Sequence, residues 1–491
     1  MVPPPDDHDC GWKQYARAQQ DKLEAQEKLL EELTQKLSTV TDKLDTLERL
    51  RRGHESERRK KSKMPPPAAK QNAPGQAAKK RSARRKQRED RVETQVVPVP
   101  LPPEACTCPR CGNPKLRKVG KGKPSVVWEW VSGHFRRNVY MRETGSCRCG
   151  HIVTAPAPDR VGEKIRYAPS FIAHLIVNKC GDTNPQYRLE KTYRNLKIPM
   201  SRSTMCSLVH RGAEELTPLY NEMLKDVPAA ADVHADETSA RQQDLDKRAF
   251  MWTFVTPTFV VYRYATTRSG SVPEGVLGDS TGRLVVDQYT GYNKVTSAGR
   301  RQRAGCLAHA RRKIFEQKEH PEAAEALDLI SEIYKLEADA KAASIIGTDA
   351  HLQMRVSKSR PLFAQLLCWG RRHRGSFPPR SGMGRAIGYL LKYFRELGVF
   401  LRHATIPPDN NIAEASLRRI ALGRSNYLFF GHENAGQNFA VLYSLVASCE
   451  KHGVNAIDYL TDVLIRVQKH PASRIQELLP DQWKPPDAAP D

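Results

Sequence analysis

A seven-residue repeat marks the start of the chain. Leu23, Leu30, Leu37 and Leu44 recur every seventh position, with Leu33, Val40 and Leu47 interleaved and polar residues filling most other places. That seam predicts a coiled coil over 13–50, broken in its first heptad by Gln26. The apolar signal fades across 51–95 and returns as strict alternation. V-V-W-E-W-V and F-R-R-N-V-Y-M predict a β-hairpin within a module spanning 100–160. Over 161–228 the spacing turns helical, in A-P-S-F-I-A-H-L-I-V-N-K-C and Q-Y-R-L-E-K-T-Y-R-N-L. A break at Ile198-Pro199 is followed by S-R-S-T-M-C-S-L-V-H-R. From Asp232 the period shortens again. A-D-V-H-A-D-E-T, A-F-M-W-T-F-V and F-V-V-Y-R-Y-A read as three strands, S-V-P-E-G-V-L as a short helix and G-R-L-V-V-D as a fourth strand.

Two further stretches, E-A-L-D-L-I-S-E-I-Y-K-L and R-A-I-G-Y-L-L-K-Y-F-R-E-L, have helical period and predict an α-helical insertion over about 305–405. The segment 471–491 reads as a tail. Three strands, a helix and a fourth strand, with an acid ending the first and fourth, is the order of a ribonuclease-H-like core. The expected fold class is therefore multidomain α/β. Its catalytic domain would span 229–470, preceded by coiled coil, basic linker, zinc-ribbon-like module and helical region.

Composition narrows the partners. With 79 Lys+Arg against 55 Asp+Glu the net charge is +24, which calls for a polyanionic partner. Residues 51–91 alone carry 16 Lys/Arg and 4 Asp/Glu in a Pro- and Ala-rich setting. They read as a disordered basic linker over 51–95, a solvated spacer or a sequence-independent phosphate binder. There is no apolar run long enough to span a membrane and no secretory pattern at the start, so a cytoplasmic, nucleoid-associated protein is expected. Behind such a linker, the N-terminal helix is better placed for homo-oligomerisation than for packing on its own body.

Eleven cysteines are too dilute for a disulfide scaffold, yet five fall in C106-T-C-P-R-C and C147-R-C. Cys108, Cys111, Cys147 and Cys149 are the natural ligands of a structural Zn²⁺, with Cys106 or His134 as substitutes. Two helices about the Ile198-Pro199 break resemble a helix-turn-helix, with a plain helical bundle as the competitor. Ser201 would cap the second helix, and Ser201, Arg202 and Ser203 would face DNA. Cys306 and His309 stand three apart and can share a metal. No second ligand pair is apparent, so His309, Arg311 and Arg312 read instead as packing or DNA-contact residues.

The acids carry the chemistry. Asp236 and Asp287 end strands that neighbour one another in a ribonuclease-H-like core. Two carboxylates at such range repel unless a hard cation such as Mg²⁺ (or Mn²⁺) joins them. In P-P-D-N-N-I-A-E-A-S-L-R-R, Asp409 or Asn410 can cap a helix whose early turns hold Glu414 as third acid. Taken alone, Glu414 reads equally well as a surface partner of Arg418 one turn on.

The segments H-A-D-E-T, V-V-D-Q-Y-T-G-Y-N, G-C-L-A-H-A-R-R-K-I-F, D-N-N-I-A-E-A-S-L-R and A-L-G-R-S-N-Y-L-F-F-G closely resemble transposases of the insertion sequence 66 family. The likeness covers nearly the whole chain and is most specific over about 160–470. It implies an Asp-Asp-Glu transposase with Asp236, Asp287 and Glu414 as its triad, and two metal ions held there. It also implies transposon-end and target DNA as partners, and accessory transposition proteins encoded alongside. Arg418 and Arg424 on the Glu414 helix would contact that DNA. Two departures stand out: Glu414-Ala415 replaces a common Glu-Arg, and C-x-C replaces C-x-x-C in the second cysteine knuckle. A DNA-binding repressor with vestigial acids and a nuclease that cuts without joining are the rival readings.

Overall fold

The computed structural model describes residues 94–485 apart from 115, 121, 132–133, 163–164 and 246, together with 15, 18–21 and 26. Nearly all of the expected coiled coil (13–50) and basic linker (51–95) lies outside the described residues. Contacts divide the chain into Met1–Ala77 and Ala78–Asp491, and the elements below belong to the second unit.

The first strand, β1 (Thr94–Val99), begins inside the stretch expected to be linker and runs parallel to β4. Then come β2 (Arg117–Lys118), β3 (Lys123–Val131), β4 (His134–Arg142), β5 (Thr144–Ser146) and β6 (Ile152–Thr154). β3 and β4 form the antiparallel hairpin that alternation predicts. It does not present the cysteines, however; the small β2-β5-β6 sheet does. The reason is where the hairpin's apolar residues go. Trp128 bridges to Tyr167, and the Phe135 ring sits 4.9 Å from Phe171 and 5.0 Å from Tyr193, so the hairpin is tied to the helical region.

That region holds α1 (Pro169–Cys180), α2 (Gln186–Asn195) and α3 (Arg202–Ala229). The second helix after the break is not short: it runs 28 residues. Met205, Leu208, Val209, Ala213, Leu216, Leu219, Tyr220, Met223 and Val227 keep helical spacing to its end and are all buried. A stripe that long makes α3 a spine of the main core, which a helix-turn-helix pattern does not require.

Next come β7 (Asp232–Ala240), β8 (Ala249–Val255), β9 (Val260–Ala265), α4 (Ser271–Leu277), β10 (Arg283–Val285) and β11 (Gln302–Ala304). They make one sheet in the order β11-β10-β7-β8-β9. β8 is antiparallel to β7 and β9, whereas β10 is parallel to β7 and β11 parallel to β10. β11 has no apolar pattern of its own and was not expected. Gly282, at φ 110, lets β10 start against β7, because a Cβ there would lie 2.4 Å from the Ala231 carbonyl oxygen.

The stretch after β11 is helical as expected: α5 (Leu307–Phe315), α6 (Pro321–Ala342), α7 (Asp349–Met354), α8 (Arg360–His373), α9 (Gly382–Lys392) and α10 (Phe394–Leu397). It has its own hydrophobic core around Ile330, Ile333, Phe363, Trp369 and Leu390. Buried Arg355 pairs with Glu337 and donates to the Phe400, His403 and Ile406 carbonyls at 2.9, 3.0 and 2.8 Å. Those bonds fix the path by which the chain returns to the sheet.

After the insertion, α11 (Asn411–Tyr427) packs on β7 and β8, and α12 (Glu433–Lys451) lies along β9, followed by α13 (Ala456–Arg466). α12 covers the sheet's edge with hydroxyls. Ser444 and Ser448 accept from the backbone N–H of Tyr262 and Val260 at 2.8 and 3.1 Å. The expected tail is also corrected. Ala472–Leu478 forms a 3-10 turn with Ile475 and Leu478 buried, and Tyr459 donates to the Leu478 carbonyl at 2.9 Å. Among the described residues no helix is long and apolar enough to cross a membrane.

Candidate active site

β7 is the strand around which the candidate site is built. Its register with β10 pairs Arg283 with Asp232, Leu284 with Val233 and Val285 with His234. β10 ends at Val285, two residues before Asp287, and the charge of Asp287 is felt at Asp236. Asp236 accepts from the Glu237 backbone N–H at 2.9 Å, and Asp287 from that of Tyr289 at 2.9 Å. Burial pushes the Asp236 carboxyl up to about 7, against the pull of the Glu237 N–H; the charges of Glu237, Asp287 and Glu414 add to the rise.

Glu237, the other acid of the pair, is differently placed. Its side chain is 2% exposed and ion-paired to Arg268 at 2.6 Å, and it accepts from the Tyr292 hydroxyl at 2.7 Å. Burial raises its carboxyl, with these two partners working to lower it. Tyr289 stacks under the Arg268 guanidinium at 4.0 Å. This buttress went unread in the sequence, where the tyrosines of Q-Y-T-G-Y-N were the only signal.

The third acid arrives with α11. Asn410 occupies the helix's N-cap position but makes no capping bond with its side chain. Instead its side-chain nitrogen donates to the Ala235 carbonyl at 2.8 Å, and its Oδ1 lies 3.2 Å from His234 Nδ1. Asp409 does the turn's local work, accepting from the Asn411 N–H at 3.1 Å. Asn410 thereby clamps the start of α11 to the residue before Asp236, and Glu414 lies in the helix's first turn. Its ion-pair neighbour is not Arg418 but His309, whose Nδ1 is 3.8 Å from Glu414 Oε1. Both atoms are buried and without a hydrogen-bond partner.

Among the described residues two groups gather metal-ligating atoms within 4.8 Å of one another. One is Cys108, Cys111, Cys147 and Cys149; the other is Cys306, His309 and Glu414. Asp236, Asp287 and Glu414 do not themselves form so tight a group. In the first, Cys108 and Cys149 sulfurs are 3.5 Å apart and those of Cys111 and Cys147 3.1 Å. Burial alone would raise the Cys108 thiol, but N–H groups of Arg110 and Cys111 and the neighbouring thiols pull it down. Four thiols so disposed fit a tetrahedral soft ion. Cys106 turns away, its thiol donating to the Pro102 carbonyl at 3.4 Å.

The DNA-facing candidates are scattered. Ser201 caps α3, accepting from the Thr204 N–H at 3.2 Å and contacting Ser203 at 2.9 Å. Arg202 pairs with Glu190 of α2 at 3.0 Å. Arg311 and Arg312 are exposed on α5, and Arg418 is exposed on α11. Arg424 donates to the Ser239 carbonyl at 2.7 Å, so it fastens α11 to the end of β7.

With this arrangement in view, comparison with known proteins is decisive. The model of the transposase IS66 family matches residues 164–438, and that of the IS66 C-terminal element matches 444–480. The chain belongs to the IS66 transposase family. Similar proteins in Sinorhizobium fredii include uncharacterized protein y4hP, 30% identical over 82% of this chain and 78% of its own length. Uncharacterized protein y4jD of the same organism is 28% identical over 78% of this chain and 79% of its own length. An IS66 transposase acts on DNA, cutting and joining it in the general sense of the family. The matched segment begins just before α1 and ends two residues past the 3-10 turn after α13, so the first part of the supposed tail, 471–480, is part of the family unit.

Proposed function

We propose that this IS66 transposase works through a ribonuclease-H-like core, with Asp236, Asp287 and Glu414 as an Asp-Asp-Glu triad for Mg²⁺ (or Mn²⁺). The observation that carries the reading is Asp236, a buried carboxyl raised to about 7 that feels the charges of both other acids. A buried carboxyl that feels two other acids is suited to cations rather than to an arginine. The order β11-β10-β7-β8-β9, with one antiparallel meander and two parallel strands, supports the core. Metal ions bound at the triad would activate the attacking oxygen and steady the leaving one of an in-line displacement.

Within that reading each residue has one task. Asp236 and Asp287 supply oxygens from adjacent strands, and Glu414 from α11. Asn410, as a positioning residue, fixes Glu414 relative to β7. Arg268 and Tyr292 keep Glu237 occupied, leaving Asp236 free. A water attacks the phosphodiester at the transposon end, freeing a 3′-hydroxyl that then attacks a target phosphodiester and expels another 3′-oxygen. Neither step needs a protein nucleophile. Cys108, Cys111, Cys147 and Cys149 would hold a structural Zn²⁺, and residues 13–50 would pair protomers across two DNA ends. Ser201, Arg202, Ser203, His309, Arg311, Arg312, Arg418 and Arg424 remain the proposed DNA contacts.

The deciding experiment incubates the purified full chain with its element's own ends, Mg²⁺ and supercoiled plasmid, then sequences the junctions. End-to-target junctions are expected. Metal-independent binding with no strand cleavage would instead make the protein a repressor, and cut ends without junctions would make it a nuclease. Deleting residues 13–50 should lower the oligomer mass in light scattering; an unchanged mass refutes the pairing role.

A further inference from the structure

The trio Cys306, His309 and Glu414 holds what neither the acidic triad nor the cysteine cluster explains. Cys306 closes the turn before α5, His309 lies in that helix's first turn, and Glu414 comes from α11. The two segments are knitted together locally. Leu307 N–H donates to the Pro408 carbonyl at 2.8 Å, and the Asn410 N–H donates to Cys306 Sγ at 3.3 Å. One atom from each of the three side chains lies within 4.8 Å of the other two. His309 Nδ1 and Glu414 Oε1 face each other at 3.8 Å with no hydrogen bond to either. Buried polar atoms are rarely left unpaired, and two such atoms beside a fully buried thiol share one remedy.

We propose that Cys306, His309 and Glu414 bind a single thiolate-seeking divalent cation, of which Zn²⁺ is the fitting member, and that this ion shares Glu414 with the acidic triad. The sharing rests on the role of Glu414 proposed above; the binding does not. One sulfur, one imidazole nitrogen and one carboxylate oxygen make a donor set suited to Zn²⁺ and unsuited to Mg²⁺. An ion about 2.0–2.3 Å from each donor sets tetrahedral ligands about 3.5 Å apart, so the trio closes with small side-chain rotations. The thiol gives up its proton as the metal–sulfur bond forms. Burial and the charges of Glu414 and Asp409 oppose the thiolate while the N–H groups of Asn410 and His309 favour it, so the ion itself must supply the balance. His309 and Glu414 are 27% and 30% exposed, which leaves a fourth position open to water or to a phosphate oxygen of bound DNA.

The test uses the stripped full chain with its cysteine cluster first filled by one equivalent of Zn²⁺, then titrated with Co²⁺ in the absence of DNA. The wild type should develop a thiolate-to-cobalt charge-transfer band with tetrahedral d–d bands. His309→Ala and Cys306→Ser should bind Co²⁺ at least about 100-fold more weakly, since even outer partners of a ligand are worth about 10–100-fold. If Cys306→Ser does not fold by circular dichroism, His309→Ala and Glu414→Gln carry the comparison. No thiolate band in the wild type, or the same band in the folded variants, overturns the site and leaves the trio a packing contact between α5 and α11. Because no DNA is present, that failure is separate from a failure to find junctions, which would strike the triad and leave the cobalt band untouched.

Discussion

The cysteine cluster and the acidic site both collect donor atoms, but by opposite routes. The cluster takes Cys108, Cys111, Cys147 and Cys149 from two tight turns on a three-stranded sheet, and its sulfurs already lie within 4.8 Å of one another. The backbone supplies that closeness: the Gly112 N–H donates to the Cys108 carbonyl at 2.8 Å, and the Gly150 N–H to that of Cys147 at 2.9 Å. The acidic site instead draws Asp236 from β7, Asp287 from beyond β10 and Glu414 from α11, with a helical insertion between the last two. The charges of Asp287 and Glu414 reach Asp236, but the three acids do not gather as tightly as the sulfurs. Local turns assemble soft ligands cheaply. The acids proposed as hard ligands come instead from separate elements of the sheet and the helix packed on it.

The sharpest way to break this contrast is on the acidic side. Asp236→Asn, Asp287→Asn or Glu414→Gln should lower strand cleavage by about 1000-fold or more while DNA binding in gel shift stays near wild type, as expected when a transition-state interaction alone is removed. Full activity in any one of them removes that residue from the site. On the other side, a chelator or the Cys111→Ser/Cys147→Ser double variant should unfold the β2-β5-β6 sheet. Metal-bound small modules draw roughly 10 kcal/mol from their ion. Limited proteolysis should then cut within 105–155 while the main body resists; uniform resistance would mean the ribbon stands without metal.

A smaller effect separates the two sites by pH. The Asp236 carboxyl is raised from 3.8 to about 7 in the folded, metal-free chain. The folded state therefore holds a proton that the unfolded state has lost, and stability falls as pH rises from about 4 to about 7. The full penalty is present above that range, with an upper bound of roughly 4 kcal/mol. Without divalent ions, Asp236→Asn should raise Tm at pH 8 and leave it nearly unchanged at pH 4; equal Tm at both values would show that Asp236 is not confined. Smallest is the clamp. Asn410→Ala should cost about 1–3 kcal/mol by stranding the Ala235 carbonyl and should slow cleavage beyond what that loss of stability explains. Unchanged cleavage would show that Glu414 needs no such anchor.

The contrast also marks what was legible beforehand. The four cysteines could be named because their turns are written in consecutive residues. The strands β7, β8 and β9 were legible as apolar runs, but Asp236, read as the end of the first, lies in its middle, because β7 runs on to Ala240 in its pairing with β8. β11 was not, since Gln302–Ala304 gains its place only by pairing with β10. The length of α3 and the docking of 472–478 were missed for a related reason. Their buried residues answer to partners far along the chain, as Leu478 does to Tyr459.

By itself the sequence determined the alternation of helical and extended segments, the basic excess, the donor residues and the family resemblance that the comparisons bear out. The tertiary structure decided which donors meet. It brought Glu414 to His309 rather than to Arg418, sent the Asn410 side chain to β7 rather than to its own helix, and gave Glu237 a buried counter-ion in Arg268. Periodicity fixes the face on which a side chain stands. Which charge waits across the gap depends on chain closure over long loops, whose cost and outcome are set only when the cores pack.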